Sequence, residues 1–140
     1  MSREVTTLTL SDARRMILAG EKKALELKIP YNIAVVDSGG SLISHARMDG
    51  AWLGSIDISI NKAFTARAFD MTTDDLSKAS QSGESLFGIN TTNCDKIVIF
   101  GGGVPVEVNG VVIGAVGASG GSVENDIKVA DAAIAAYEDG

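Results

Sequence analysis

Phe100-Gly-Gly-Gly-Val-Pro-Val-Glu-Val-Asn-Gly-Val-Val-Ile-Gly-Ala-Val-Gly-Ala-Ser-Gly-Gly-Ser-Val-Glu-Asn-Asp126 decides the fold. Asn109-Gly110 separates two Val-rich runs, and a type I′ turn needs positive φ at both central positions, which Asn and Gly tolerate. Val104–Val108 and Val111–Ala118 are therefore expected to form a hairpin. The second run is β-branched or small almost throughout, the pattern of a strand covered on both faces. Ser119-Gly120-Gly121-Ser122 then feeds a helix expected from Ser122 to about Tyr137. A glycine loop at a helix N-terminus offers free N–H groups to an anion. The same glycines also permit close packing of strand and helix.

Working outward, Gly101-Gly102-Gly103 reads as a sharp break after a short strand, Lys96–Phe100. Ser80–Cys94 is polar and irregular and reads as a surface segment. Thr73 is expected to cap a short helix, with Asp74 and Asp75 favourable in its first turn. Ser55–Phe69 has a stripe of Ile56, Ile60, Ala63, Phe64 and Ala68 at helical spacing, with Asp57, Asn61 and Lys62 off it. Ahead of it, Tyr31–Val36 and Ser41–Arg47 are strands joined by Asp37-Ser38-Gly39-Gly40. Alternation along the return strand puts Ser41, Ile43, His45 and Arg47 on one face. The first helix begins at Thr9, where Thr9-x-x-Asp12 resembles a capping box, and stops at Pro30. The order α-β-β-α-α-β-β-β-α, with hairpin-joined strands, predicts an α+β sandwich on a largely antiparallel sheet.

The chain has 140 residues, read as one domain over 1–140, with 45% hydrophobic and 21% charged residues and a net charge of −6. No basic stripe points to nucleic acid. The lone Cys94 excludes an internal disulfide and a Cys-built zinc or iron–sulfur cage. No run approaches the roughly 18–20 apolar residues of a membrane span. The N-terminus shows no apolar leader segment, so the chain as given reads as cytoplasmic. An apolar content this high in a small domain suggests surface hidden in an oligomer.

Six motifs follow in order: Val35-Val36-Asp37-x-Gly-Gly-x-Leu42, Arg47-Met48-Asp49-Gly50-Ala51, Lys62-Ala63-x-Thr65-Ala66, Gly101-Gly102-Gly103-Val104-Pro105, Gly110-x-x-x-Gly114 and Ser119-Gly120-Gly121-x-x-x-x-Asp126. Together they resemble the GlcG/HbpS family, once called DUF336, which includes the C-terminal domain of PduO-type proteins. The resemblance runs from about Leu8 to Ala135. It implies a profilin-like α/β/α sandwich around a five-stranded antiparallel sheet. It also implies homo-oligomers, often octamers, and haem binding or haem breakdown in some members. Other members are associated with glycolate or diol and corrinoid metabolism. The chain lacks the Glu-x-x-Glu with which some secreted members bind iron, which argues against iron storage. His45 stands where the family pattern has an apolar residue, so it is a candidate through its own chemistry alone.

Arg47 offers a bidentate contact to a carboxylate such as a haem propionate, and Asp49 is placed to orient it or to act as a base. The alternative is an Arg47–Asp49 pair that fixes the loop. Lys62 is a candidate anion anchor or acid/base group; otherwise it is an exposed lysine or a partner of Asp57 or Asp126. Gly120 and Gly121 are the candidate anion-binding amides. Asp126, one turn into the last helix, would repel such an anion, and this argues for its pairing with Arg47 or Lys62. His45, the only histidine, is the candidate haem axial ligand or proton carrier, and otherwise a half-buried structural residue. Tyr31, Met48, Met71 and Cys94 are weaker iron ligands. No paired-His motif suggests hydrolytic zinc, and no nucleophile elbow suggests a serine triad.

The first functional reading is a homo-oligomeric haem-binding or haem-degrading protein, with the macrocycle in an apolar, partly intersubunit pocket and its propionates at Arg47, Lys62 or Gly120-Gly121. The second is a cofactor-free isomerase or hydratase of a small carboxylated metabolite, using Asp49, Lys62 or His45. The third is a non-catalytic accessory factor of a diol or corrinoid pathway.

Overall fold

The structure is a computed structural model that describes all residues, Met1 to Gly140. Four α-helices and four strands follow in order: α1 (Leu10–Leu27), β1 (Asn32–Asp37), β2 (Leu42–Arg47), α2 (Gly54–Phe69), α3 (Thr73–Ala79), β3 (Gly103–Val108), β4 (Val111–Ser119) and α4 (Val123–Glu138), with two single 3-10 turns, Ile89–Thr91 and Asn93–Asp95, between α3 and β3. They build one antiparallel sheet in the order β2-β1-β4-β3. The expected β3–β4 hairpin is present, with Asn109 at φ 51° and Gly110 at φ 78°. The capping box is also formed. The Thr9 hydroxyl accepts from the Asp12 amide at 3.1 Å, and the Asp12 carboxylate accepts from the Thr9 amide at 2.9 Å. No helix is long and apolar enough to cross a membrane.

The sheet has four strands, not five. Residues 96–100 run beside α2 without joining a ladder. Their backbone is satisfied by a side chain instead: Thr65 Oγ1 accepts from the Val98 amide at 3.0 Å and donates to the Lys96 carbonyl at 3.3 Å. A β-branched segment thus gains hydrogen bonds without a strand partner. Thr72, not Thr73, caps α3, its hydroxyl accepting from the Asp75 amide. The Thr73 hydroxyl accepts from the Gly103 amide and ties α3 to the start of β3.

α1 and α4 cover one face. Met16, Ile17 and Ala24 of α1 and Val129, Ala130 and Ala133 of α4 pack with Ile33, Val35, Val116 and Ala118. The other face is covered by α2, over Ala34, Val36 and Ala115. A bulge between Val35 and Val36 sets Leu42 opposite Val36 and Ser44 opposite Val35, leaving Ile43 as the extra residue. Strict alternation along β2 therefore fails. Ile43 packs into the α1/α4 core, while His45 opposes Ala34 and Arg47 opposes Asn32 on the α2 side.

The expected stripe on α2 is also displaced. Its buried residues are Ser55, Ser59, Lys62, Ala63, Thr65 and Ala66; Ile56, Ile60 and Phe64 are half-buried and Ala68 is exposed. The reason lies across the interface at Gly117 of β4. A methyl group there would overlap the Ser59 carbonyl and come within 2.6 Å of the Ala63 amide. The helix backbone lies directly on the strand, and only small or flexible side chains fit beneath it.

Candidate functional site

The predicted residues fall into two groups. The first is closed. Lys62 and Asp126 meet between α2, α4 and the end of β4, with Lys62 Nζ 2.7 Å from Asp126 Oδ2 and 2.9 Å from the Ala118 carbonyl it donates to. The Lys62 side chain has no solvent exposure, and Asp126 has almost none. The Phe100 ring stands over the ammonium, 5.1 Å from Nζ to its centroid. Gly102, at φ 123°, completes the cover, since a Cβ there would sit 2.6 Å from Nζ and 3.0 Å from Asp126 Cβ. Burial pulls the Lys62 amine below its ordinary range, against the opposing pull of Asp126. The glycine break before β3 is thus the lid of a buried ion pair. The sequence offers the Lys62–Asp126 pair as one of the expected pairings, but carries no sign that Phe100 and Gly102 seal it.

The other Asp126 oxygen closes the glycine loop. Oδ1 accepts from the Gly120 and Gly121 amides, each at 3.2 Å. The two amides that would meet an anion are held by an internal carboxylate. Of the two partners expected for Asp126, the structure gives Lys62. Tyr31 is buried beside this cluster, and its hydroxyl forms no hydrogen bond of ordinary geometry. Burial, then the adjacent Asp126 carboxylate, pushes the Tyr31 phenol far up.

The second group is open only at Arg47 and Asp49, while Asn32 and Ser119 are buried. Arg47, Asn32 and Ser119 form a row across β2, β1 and β4 at the end of the sheet where α2 begins. Asn32 donates through Nδ2 to the Trp52 carbonyl at 3.0 Å, and Ser119 Oγ donates to Ser55 Oγ at 3.0 Å. These contacts anchor the loop that enters α2; Asn32 and Ser55 had no distinguishing pattern in the sequence. His45 lies in the next row, with Ala34 and Gly117. Its Nε2 is buried and has no hydrogen-bond partner. Burial, reinforced by the neighbouring Arg47 charge, lowers its pKa from 6.5, so the imidazole is neutral at pH 7. Arg47 and Asp49 are both exposed, and they form no ion pair with each other. No cluster of three or more His, Cys, Asp or Glu side chains is placed to hold a metal ion. Cys94 is exposed and free. The largest surface groove, about 580 Å³, lies elsewhere, between α1 and α4, with Leu18, Leu25 and Ala136 on its walls and Arg15 and Lys22 at its rim.

The family model described as "Haem degrading protein HbpS-like" matches residues 8–135. The chain belongs to the HbpS-like family. An uncharacterized 15.0 kDa protein in the dhaT-dhaS intergenic region of Citrobacter freundii is 47% identical over 138 residues, 99% of this chain and 97% of that protein. The crystal structure of Klebsiella pneumoniae protein ORFY, a DUF336 protein, superposes with a TM-score of 0.96 at 45% identity, covering 98% of this chain and 94% of that one. That of a PduOC:heme complex superposes with a TM-score of 0.89 at 37% identity, covering 92% and 94%. A haem complex has therefore been solved on a backbone similar to this one.

Proposed function

We propose that this HbpS-like chain binds haem, with His45 as axial ligand and Arg47 at a propionate. The haem complex of the 37%-identical PduOC domain carries the ligand class. The orphaned Nε2 of His45 supports the placement. A neutral imidazole with an unpaired, buried nitrogen is the donor haem iron takes. Leu42, about half exposed on the same side of β2, and Ile60 across the Val36 cluster supply apolar surface for a macrocycle. Arg47 is free of internal ion pairs and suits a carboxylate. Bound haem would supply redox and ligand-binding chemistry at its iron; the protein residues would fix its orientation. Lys62 is committed to Asp126 and sealed under Phe100 and Gly102, so Arg47 alone of the expected propionate contacts is open.

A cofactor-free isomerase or hydratase finds less support. Its strongest base candidate, Lys62, has no route to a substrate, and Asp49 stands on an open loop without an adjoining acid.

Haemin titration followed by absorbance tests the proposal on the wild type, His45→Ala and Arg47→Ala. Saturation near one haem per chain is expected, with a Soret shift lost in His45→Ala. Arg47→Ala should weaken binding by about tenfold, as for a charge-assisted hydrogen bond. A shift retained in both variants moves the ring to another site, the α1–α4 groove first. No saturable shift in any form overturns haem binding for this chain.

A further inference from the structure

We propose that the cavity between the α1–β1 connection and the loop entering α2 binds a small planar carboxylate. Its walls come from two segments, Lys28–Pro30 and Gly50–Trp52, and from Gly120, and it holds about 290 Å³. That is the low end of small-molecule sites, room for one substituted ring. Neither His45 nor Arg47 lines it.

Two observations select the occupant. The first is an aromatic side chain presented from a fixed support. Trp52 is 63% exposed, an unusual place for the only tryptophan of the chain. Its backbone is held all the same, because its carbonyl accepts from the buried Asn32 side chain at 3.0 Å and from the Ser55 amide at 3.2 Å. Indole and the Pro30 ring both line the cavity, and their flat apolar surfaces suit the faces of a planar ring. At Gly50 an added Cβ would meet nothing nearer than Pro30 Cγ, at 3.9 Å, so the two walls stand apart across open space.

The second observation is charge. The chain has a net charge of −6, yet this lining carries one charged side chain, Lys28, and no acid. Lys28 is exposed and forms no ion pair. A cation at the end of α1 also suits the helix dipole. The carbonyls of Ala24 and Leu25 there are already engaged, however, by the amides of Ile29 and Lys28. The ammonium is therefore open to a carboxylate. Ring and charge together specify an aromatic monocarboxylate. The larger groove between α1 and α4 selects no ligand in this way, because Glu21 and Asp139 stand among its cations.

With one tryptophan in the chain, Trp52 emission reports this site directly. Benzoate titrated into the haem-free wild type is expected to give a saturable change in that emission. Benzamide, which lacks the charge, and cyclohexanecarboxylate, which lacks the planar ring, should bind at least about tenfold more weakly. Lys28→Glu should abolish the response and Lys28→Arg should keep it. Trp52→Ala, read by calorimetry, should lose binding. Both side chains are exposed, so the variants should fold, with circular dichroism as the control. No saturable response to benzoate in the wild type would overturn the proposal. Equal binding of benzamide, or an unchanged response in Lys28→Glu, would do the same. Loss of binding in Arg47→Ala with Lys28→Glu unaffected would place the carboxylate at Arg47 and overturn it as well.

Discussion

Lys62 and Asp126, 64 residues apart in sequence, form an ion pair from which water is excluded, and the same carboxylate holds two backbone amides. One side chain therefore joins α2, α4 and the loop after β4. Asp126→Asn keeps an acceptor for the amides but leaves the ammonium without its counter-charge. Breaking a buried pair from one side costs about 3–5 kcal/mol, and urea unfolding of this variant should show a loss of that order. Lys62→Met added to Asp126→Asn removes the stranded cation and should recover most of it. Equal losses in the single and combined variants would show that the amide contacts, not the ion pair, carry the energy.

Two glycines, Gly117 under α2 and the exposed Gly54 at its start, should respond to alanine with opposite signs. At Gly117 the added methyl meets the α2 backbone, which cannot move without lifting the helix from the sheet. Gly117→Ala is expected to destabilise by about 3 kcal/mol, the upper range for forced overpacking. At Gly54, the first residue of α2, nothing lies within 4 Å of the built Cβ. Gly54→Ala should stabilise by about 0.5 kcal/mol through the unfolded chain. Thermal unfolding of the pair separates close packing from backbone entropy.

Local chemistry was legible in the sequence where neighbouring residues settle it. Asn109-Gly110 specifies its turn, Asp37 caps its loop by accepting from the Gly39 and Ser41 amides, and Thr9 with Asp12 starts α1. The resemblance carried by the ordered motifs was also sound, because six weak signals in one order constrain the fold jointly. The expectations that failed depend on partners distant in sequence. The stripe on α2 was misplaced because close approach to Gly117 overrides hydrophobic periodicity. For Lys62 the pairing with Asp126 was among the expected alternatives, but its complete burial is set by Phe100 and Gly102, which are distant in sequence. The bulge at Ile43 put Leu42 and Ile43 each on the face opposite to the one alternation predicts, which no alternation rule anticipates.

Residues 96–100 miss the sheet for a reason that mutation can test. The Thr65 hydroxyl accepts from one peptide group of this segment and donates to another. Thr65→Val preserves shape and removes both contacts. It should cost about 1 kcal/mol, the net worth of a hydrogen bond between part-buried groups. Thr65→Ser retains the hydroxyl and should lose less. Amide exchange at Val98 is the local readout: acceleration in Thr65→Val alone locates the effect, and equal exchange in both variants would mean that packing of the methyl, not the hydroxyl, holds the segment.

His45 makes stability and haem affinity depend on pH in a stated direction. Its pKa in the folded chain lies below 6.5 because burial, then Arg47, disfavours the imidazolium. Between that lowered value and 6.5 the unfolded chain binds more protons than the folded one, so stability rises with pH through this window and levels off above it. His45→Gln should remove that slope and leave the acid limb below it, where Asp12 loses its capping contacts on protonation. If Nε2 coordinates haem iron, a proton competes for the same lone pair. Affinity should then hold as pH falls to the lowered pKa and drop about tenfold per unit beneath it, following the proton linkage. Haemin titrations at a series of pH values decide this. An affinity that stays level across the range in which His45 titrates, as followed by its ring resonances, would assign the iron to a different ligand.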